Sequence, residues 1–103
     1  MAVIIVTQRD VDPDNQEEVF DLLRQLRARA VLKPGYISGE TLFSASKSGD
    51  FLTIGRWRSL KDWHAWENSP ERRQILSKID LLLLAPAVVN VYLDSPAPVP
   101  EGV

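Results

Sequence analysis

There is no cysteine anywhere in these 103 residues and only one histidine, His64. Without thiolates there is no disulfide framework, no zinc or iron–sulfur ligand set and no dithiol redox chemistry, and one imidazole among scattered carboxylates is no better as a transition-metal site. No metal is expected. HExxH and EF-hand spacings are absent, as are GxSxG, GxGxxG and GxxxxGK[ST], which removes the nucleophile elbow, the dinucleotide loop and the P-loop. An excess of positive charge is missing too: the formal net charge is −2 and the basic residues form no stripe, so neither nucleic acid nor an anionic membrane surface is an expected partner. The longest apolar run, Leu81 to Val89, is broken by Pro86 and far too short to cross a bilayer. The start, Met-Ala-Val-Ile, lacks the basic-then-apolar pattern of an export signal, and the expected location is cytoplasmic.

What is present is ordinary globular material, 45% hydrophobic and 25% charged, enough for one modest core. Its chemistry is concentrated. The stretch Gly55 to Arg73 holds all three tryptophans, Trp57, Trp63 and Trp66, together with His64.

Val3 to Val6 is β-branched throughout and leads into Thr7-Gln8-Arg9, a first strand apolar on both parities, which implies that both of its faces are covered. Asp14, three residues before Glu17, has the spacing of a capping box. Val19, Leu22, Leu23, Leu26 and Ala30 then repeat as one face of a helix that stops near Lys33-Pro34-Gly35. Tyr36 to Ala45 reads as a second strand, with a bulge or close approach at Gly39, and Phe51 to Arg58 as a third, joined by a polar loop whose Gly49 takes a positive φ. Phe51, Thr53, Gly55 and Trp57 share one parity of that third strand. Ser59 caps a short helix on which Leu60, Trp63 and Trp66 point back over the sheet, and Ser69-Pro70 starts a longer one, with Ile75, Ile79 and Leu82 apolar, ended by Ala85-Pro86. Ala87 to Leu93 is a fourth strand. The order is βαββαβ, an α+β, ferredoxin-like plan with a four-stranded antiparallel sheet. Residues 1–94 make the domain and 95–103 a Pro-rich C-terminal tail. The sheet face away from the helices is apolar enough to call for a partner, most simply a second copy in a homodimer.

Elimination leaves Trp57, Trp63, His64, Trp66, Arg56, Arg58, Asn90 and Tyr92 as groups able to line or work a site. Core packing competes for the tryptophans, and a solvated helix edge for His64, although an imidazole suits proton transfer near neutral pH.

Lys33-Pro34-Gly35-Tyr36 after the first helix, a strand ending Trp57-Arg58-Ser59, then Trp63, Trp66 and Ser69-Pro70 before a further helix, resembles the antibiotic biosynthesis monooxygenase domain family. The resemblance runs to about Leu93. It implies a dimeric α+β barrel and a pocket between sheet and helices, where an electron-rich aromatic substrate meets O2 with no cofactor. On that pattern His64 and Trp66 are the candidate catalytic residues, and Thr7, Trp57, Trp63, Asn90 and Tyr92 the candidate substrate-binding set. Thr7 or Gln8 stands where the family's haem-degrading branch has an asparagine. The haem-ligating histidine of that branch would fall at Leu76, so haem degradation is disfavoured. The implied activity is oxidation of a quinol or polycyclic phenol by O2; the alternative is a non-catalytic dimeric module that binds an apolar small ligand.

Overall fold

The computed structural model describes residues 1–96, so residues 97–103 of the expected Pro-rich tail lie outside the described residues. β1 (Val3–Asp10) is followed by a 3-10 turn at Pro13–Asn15 and by α1 (Gln16–Ala30). β2 (Tyr36–Phe43) and β3 (Asp50–Trp57) form a hairpin, α2 (Leu60–Glu67) and α3 (Pro70–Asp80) follow, and β4 (Val88–Leu93) ends the order. The strands make one antiparallel sheet in the order β2-β3-β1-β4, the ferredoxin-like α+β arrangement.

Both serine caps form. Ser59 Oγ accepts from the Asp62 N–H at 3.1 Å and Ser69 Oγ from the Arg72 N–H at 3.3 Å, so the two short helices start where the sequence places them. The capping box at Asp14 does not form: Pro13, the residue before it, opens a 3-10 turn, and Asp12 caps that turn by accepting from the Asp14 N–H at 3.0 Å. Asn15, at the N-cap of α1, makes no side-chain cap bond.

α3 also stops short of Ala85-Pro86. It ends at Asp80 because the backbone beyond is captured by the end of β1: Leu84 N–H donates to the Asp10 carbonyl at 2.8 Å, and Leu83 bridges Val11. Leu82 and Leu83 still reach the core from this irregular segment. Leu60 does not point over the sheet; at the first position of α2 it is 43% exposed, and the buried face of that helix is Trp63 and Trp66 alone.

β1 is buried at Val3, Ile5, Thr7 and Arg9 and half-buried at the alternate positions, so its helix-facing side is covered and its other side only partly so. Two buried clusters lie under the helices. Val11, Val19, Leu22, Leu23, Phe51, Ile75 and Ile79 fill one end. Val3, Ile5, Ala30, Trp57, Trp63 and Trp66 fill the other.

The β2–β3 turn depends on Gly49, which sits at φ +88° with its carbonyl accepting from Val11 N–H at 2.7 Å. A Cβ there would run into the Val11 carbonyl oxygen, an atom of the backbone that cannot swing aside. Gly49→Ala should therefore cost about 2 to 3 kcal/mol and lower the melting temperature by about 10 °C or more. Thermal melts followed by circular dichroism check this; a shift under about 2 °C would contradict it.

Candidate functional site: a donor-lined cavity between sheet and helices

The cavity has a simple origin in the strand register. Four rows of side chains cross the helix-facing side of the sheet. Tyr36, Trp57, Val3 and Leu93 form the first, and Gly39, Gly55, Ile5 and Val91 the second. Thr41, Thr53, Thr7 and Val89 form the third, and Phe43, Phe51 and Arg9 the last. Aromatic rows at both ends hold the helices off the sheet, while glycine and threonine in between do not fill the space beneath them. A cavity of about 110 Å³ results, open on one side and lined by Ile5, Thr7, Thr53, Gly55, Trp57 and Trp66 among others.

A β-bulge sets this register. Tyr36 pairs with Trp57 but Ser38 pairs with Arg56, so Ile37 is the extra residue. An uninterrupted strand would send Tyr36 and Gly39 to opposite faces; the bulge brings both to the cavity side. The Tyr36 ring meets Trp57 edge-on with centroids 5.4 Å apart. Its hydroxyl lies over Gly39, where a Cβ would approach it to 2.8 Å. Trp57 in turn stacks on Trp66 at 6.2 Å and 25°, and contacts Trp63 at 6.3 Å. The indoles are fixed from behind: Ser69 Oγ donates to the Trp66 carbonyl at 2.8 Å while capping α3.

Three buried polar atoms have no hydrogen-bond partner among the described residues: Arg9 Nε, Tyr36 Oη and Trp63 Nε1. All three belong to residues that line this cavity. Each can donate, and a buried donor without an acceptor carries a cost of about 1 to 3 kcal/mol.

Arg9 is 4% exposed, with its NH1 donating to Thr53 Oγ1 at 3.3 Å. Burial pulls its ionisation down to about 10, the charge of Arg72 adds to the fall, and Asp80 opposes it. Arg72 lies 5.1 Å from the centroid of the Trp63 ring and donates from NH1 to the Glu67 carbonyl at 3.3 Å. Burial lowers its ionisation too, against the pull of Glu67 and Asp80.

The chain matches the family described as antibiotic biosynthesis monooxygenase over residues 2–78. It belongs to that family. SchA of Streptomyces halstedii is 27% identical over 78 residues, which are 76% of this chain but 20% of that protein, so the chain spans about a fifth of this curated relative. SnoaB of Streptomyces nogalater, a cofactor-independent oxygenase, has the same fold, with a TM-score of 0.81 at 16% identity over 97% of this chain and 98% of its own. A conserved protein of Methanosarcina mazei Go1 superposes with a TM-score of 0.85 at 16% identity, over 89% and 91% of the two chains.

Within this member of the antibiotic biosynthesis monooxygenase family, Thr7, Trp57, Trp63 and Trp66 come together around the cavity. His64 does not: its side chain is 58% exposed and its Nδ1 lies 3.2 Å from Glu67 Oε1 on the outer side of α2. One step along the helix from Trp63 turns it away from the sheet. Asn90 and Tyr92 pair with Val6 and Ile4, on the opposite face of the sheet. Arg9, Arg72 and Tyr36 are cavity residues that sequence reasoning passed over. The available signal was an arginine on the same parity as Val3, Ile5 and Thr7. Among the described residues, no group of three His, Asp or Glu side chains is placed to hold a metal ion.

Arg9 is charged at neutral pH whether folded or unfolded, and its lowered ionisation means that folding disfavours the charged form. That cost, on the order of 3 kcal/mol, is fully present below pH 10 and is relieved only as pH rises above it. Arg9→Met should thus raise the melting temperature at pH 7 by about 5 °C or more, and a fall of that size would contradict the account.

Proposed function

We propose that the chain is a cofactor-independent monooxygenase that oxidises a quinol or phenol with O2, one aromatic ring seated against Trp57, Trp63 and Trp66. The observation that carries the reading is the cavity itself, walled by stacked indoles, floored by glycine and threonine, and supplied with donors that have no acceptor among the described residues. An enclosed apolar cavity of about 150 Å³ accommodates benzene, so this one, about 110 Å³ and open on one side, takes at most a single ring with its edge at the opening. The rest of a polycyclic substrate would extend through the open side. Family membership and the likeness in fold to a cofactor-independent oxygenase support the reaction class.

The chemistry asks for orientation and exclusion of water, since the reducing electrons come from the substrate. Loss of the phenolic proton makes the ring electron-rich enough to pass an electron to O2. Recombination forms a C–O bond at a free ring carbon, opposite the oxygen in a phenol or beside it in a quinol, and the peroxide takes up a proton. Loss of water then leaves a carbonyl: one oxygen atom stays in the product, the other leaves as water, and the substrate supplies all four electrons. Trp66 is a wall of the reaction space in this account. His64 stands outside it.

The working unit is a homodimer in this proposal, and the compartment is the cytoplasm, in keeping with a chain that has no cysteine. The open sheet face supports the dimer: Leu42, Val88 and Tyr92 are 44%, 53% and 54% exposed there, beside half-buried Ile4, Val6, Leu52 and Ile54. A second copy covering it would bury roughly 1,500 to 2,500 Å² in total. No helix among the described residues is long and apolar enough to cross a membrane.

Oxygen uptake by the purified protein, measured with a panel of hydroquinones and anthrone-like phenols, tests the reaction. Catalysed uptake is expected, with Trp66→Ala reducing it about tenfold or more and His64→Ala keeping it. Uptake no faster than the buffer blank across the panel would favour a non-catalytic module that binds an apolar ligand. Ile54→Arg should convert the dimer to a monomer in light scattering; a wild-type monomer would retire the dimer.

A further inference from the structure

The buried part of the cavity's polar lining has one sign, since Glu40, the carboxylate that borders it, is exposed. The cavity's buried, unsatisfied atoms are donors, and the charges in its less exposed lining are the guanidinium groups of Arg9 and Arg72, which also line a second depression together with Glu67, Asp80, Leu83 and Pro86. A buried cation is normally paired. Here neither guanidinium has a carboxylate oxygen within 4.0 Å among the described residues, the ion pairs being Asp21–Arg24, Glu71 with Arg29 and Lys33, and His64–Glu67. Arg9 spends one NH1 bond on Thr53 and Arg72 one on a backbone carbonyl, which leaves most of their ten N–H groups for something else.

We infer that Arg9 and Arg72 form an anion-recognition site inside the cavity, and that the ligand is an aromatic ring bearing an anionic oxygen, either a phenolate or a carboxylate. Trp63 Nε1 and Tyr36 Oη supply further donors to it. Planar guanidinium forks match such oxygens two bonds at a time, and charge-assisted bonds are roughly twice as strong as neutral ones. The site holds its charge before the ligand arrives, so the ligand's anionic form is selected and its ionisation moves to lower pH. For an oxygenase this places the arginines as positioning residues that favour the deprotonated substrate, with the indole walls holding the ring. The inference rests on the cavity being the ligand site of the proposed function.

Quenching of tryptophan fluorescence reads binding without turnover. Benzoate and benzamide are a matched pair, and 4-nitrophenol reports its own ionisation through the colour of the phenolate. At pH 7 benzoate should bind about tenfold or more tighter than benzamide, and Arg9→Met and Arg72→Met, checked for folding by thermal melt, should abolish the preference. A bound nitrophenol that ionises at lower pH than the free one assigns the site to phenolates, and a preference confined to benzoate assigns it to carboxylates. The groups whose own charge could blur that titration are Glu67 and Asp80 beside the arginines and the exposed Arg27 and Glu40, which also border the cavity. Benzamide binding as tightly as benzoate in the wild type, or a preference that survives in both variants, would overturn the inference. None of these ligands is a substrate of the proposed reaction. Anion preference without oxygen uptake on quinols therefore retires the oxygenase reading alone, and uptake without anion preference retires this inference alone.

Discussion

Everything about the site follows from a shortage of side-chain volume in the middle of the sheet. The helices rest on two aromatic supports, Tyr36 and Trp57 at one end and Phe43 and Phe51 at the other, and nothing bulkier than isoleucine stands between them. Close packing would ordinarily close such a gap, because dispersion and burial both favour contact. The helices cannot sink further without driving the indoles of α2 into Trp57. A rigid stack of tryptophans thus keeps open a space that the hydrophobic effect would otherwise collapse, and the two core clusters stay separate on either side of it.

That space is costly, which is informative in itself. A buried guanidinium with an unanswered Nε–H and two further unanswered donors all work against stability, yet they face one cavity and share one character. Stability lost in a region with a single chemical bias is the usual signature of a site arranged for a partner that supplies the missing half. An acceptor-rich, anionic, planar ligand would supply it, and the same features make little sense as packing. The charge comes from strand β1 and helix α3, the aromatic walls from β3 and α2, so the site is assembled from rigid elements rather than from loops.

Much of this was legible in the chain. The order of elements, the serine caps at Ser59 and Ser69, the positive φ of Gly49 and the clustering of the tryptophans all follow from local chemistry that needs no tertiary information. The parity of Phe51, Thr53, Gly55 and Trp57 was also readable, but its consequence was not. The floor of the cavity depends on which β2 residue meets each of these, and a bulge at Ile37 decides that by switching the face of Gly39. The end of α3 was set by contacts with the end of β1, again beyond the reach of a local reading. The same limit applied to the charged residues: Arg9 looked like the polar end of a strand, and only the packing of α3 over it turns it into a buried cation beside Arg72. His64 attracted attention by its rarity, but rarity says nothing of direction, and the helix turns it outward.

The central claim is that the cavity between sheet and helices, rather than the open sheet face, receives the ligand, and that its orphan donors meet it. The most direct measurement is a titration of isotopically labelled protein with a non-oxidisable aromatic acid, following the three indole N–H resonances together with the backbone amides. The Trp63 indole resonance should move furthest, as a donor that gains an acceptor, with Thr7 and Thr53 shifting beside it. Shifts confined to Val88, Asn90 and Tyr92, with the Trp63 indole unmoved, would place the ligand on the other side of the sheet and contradict the account.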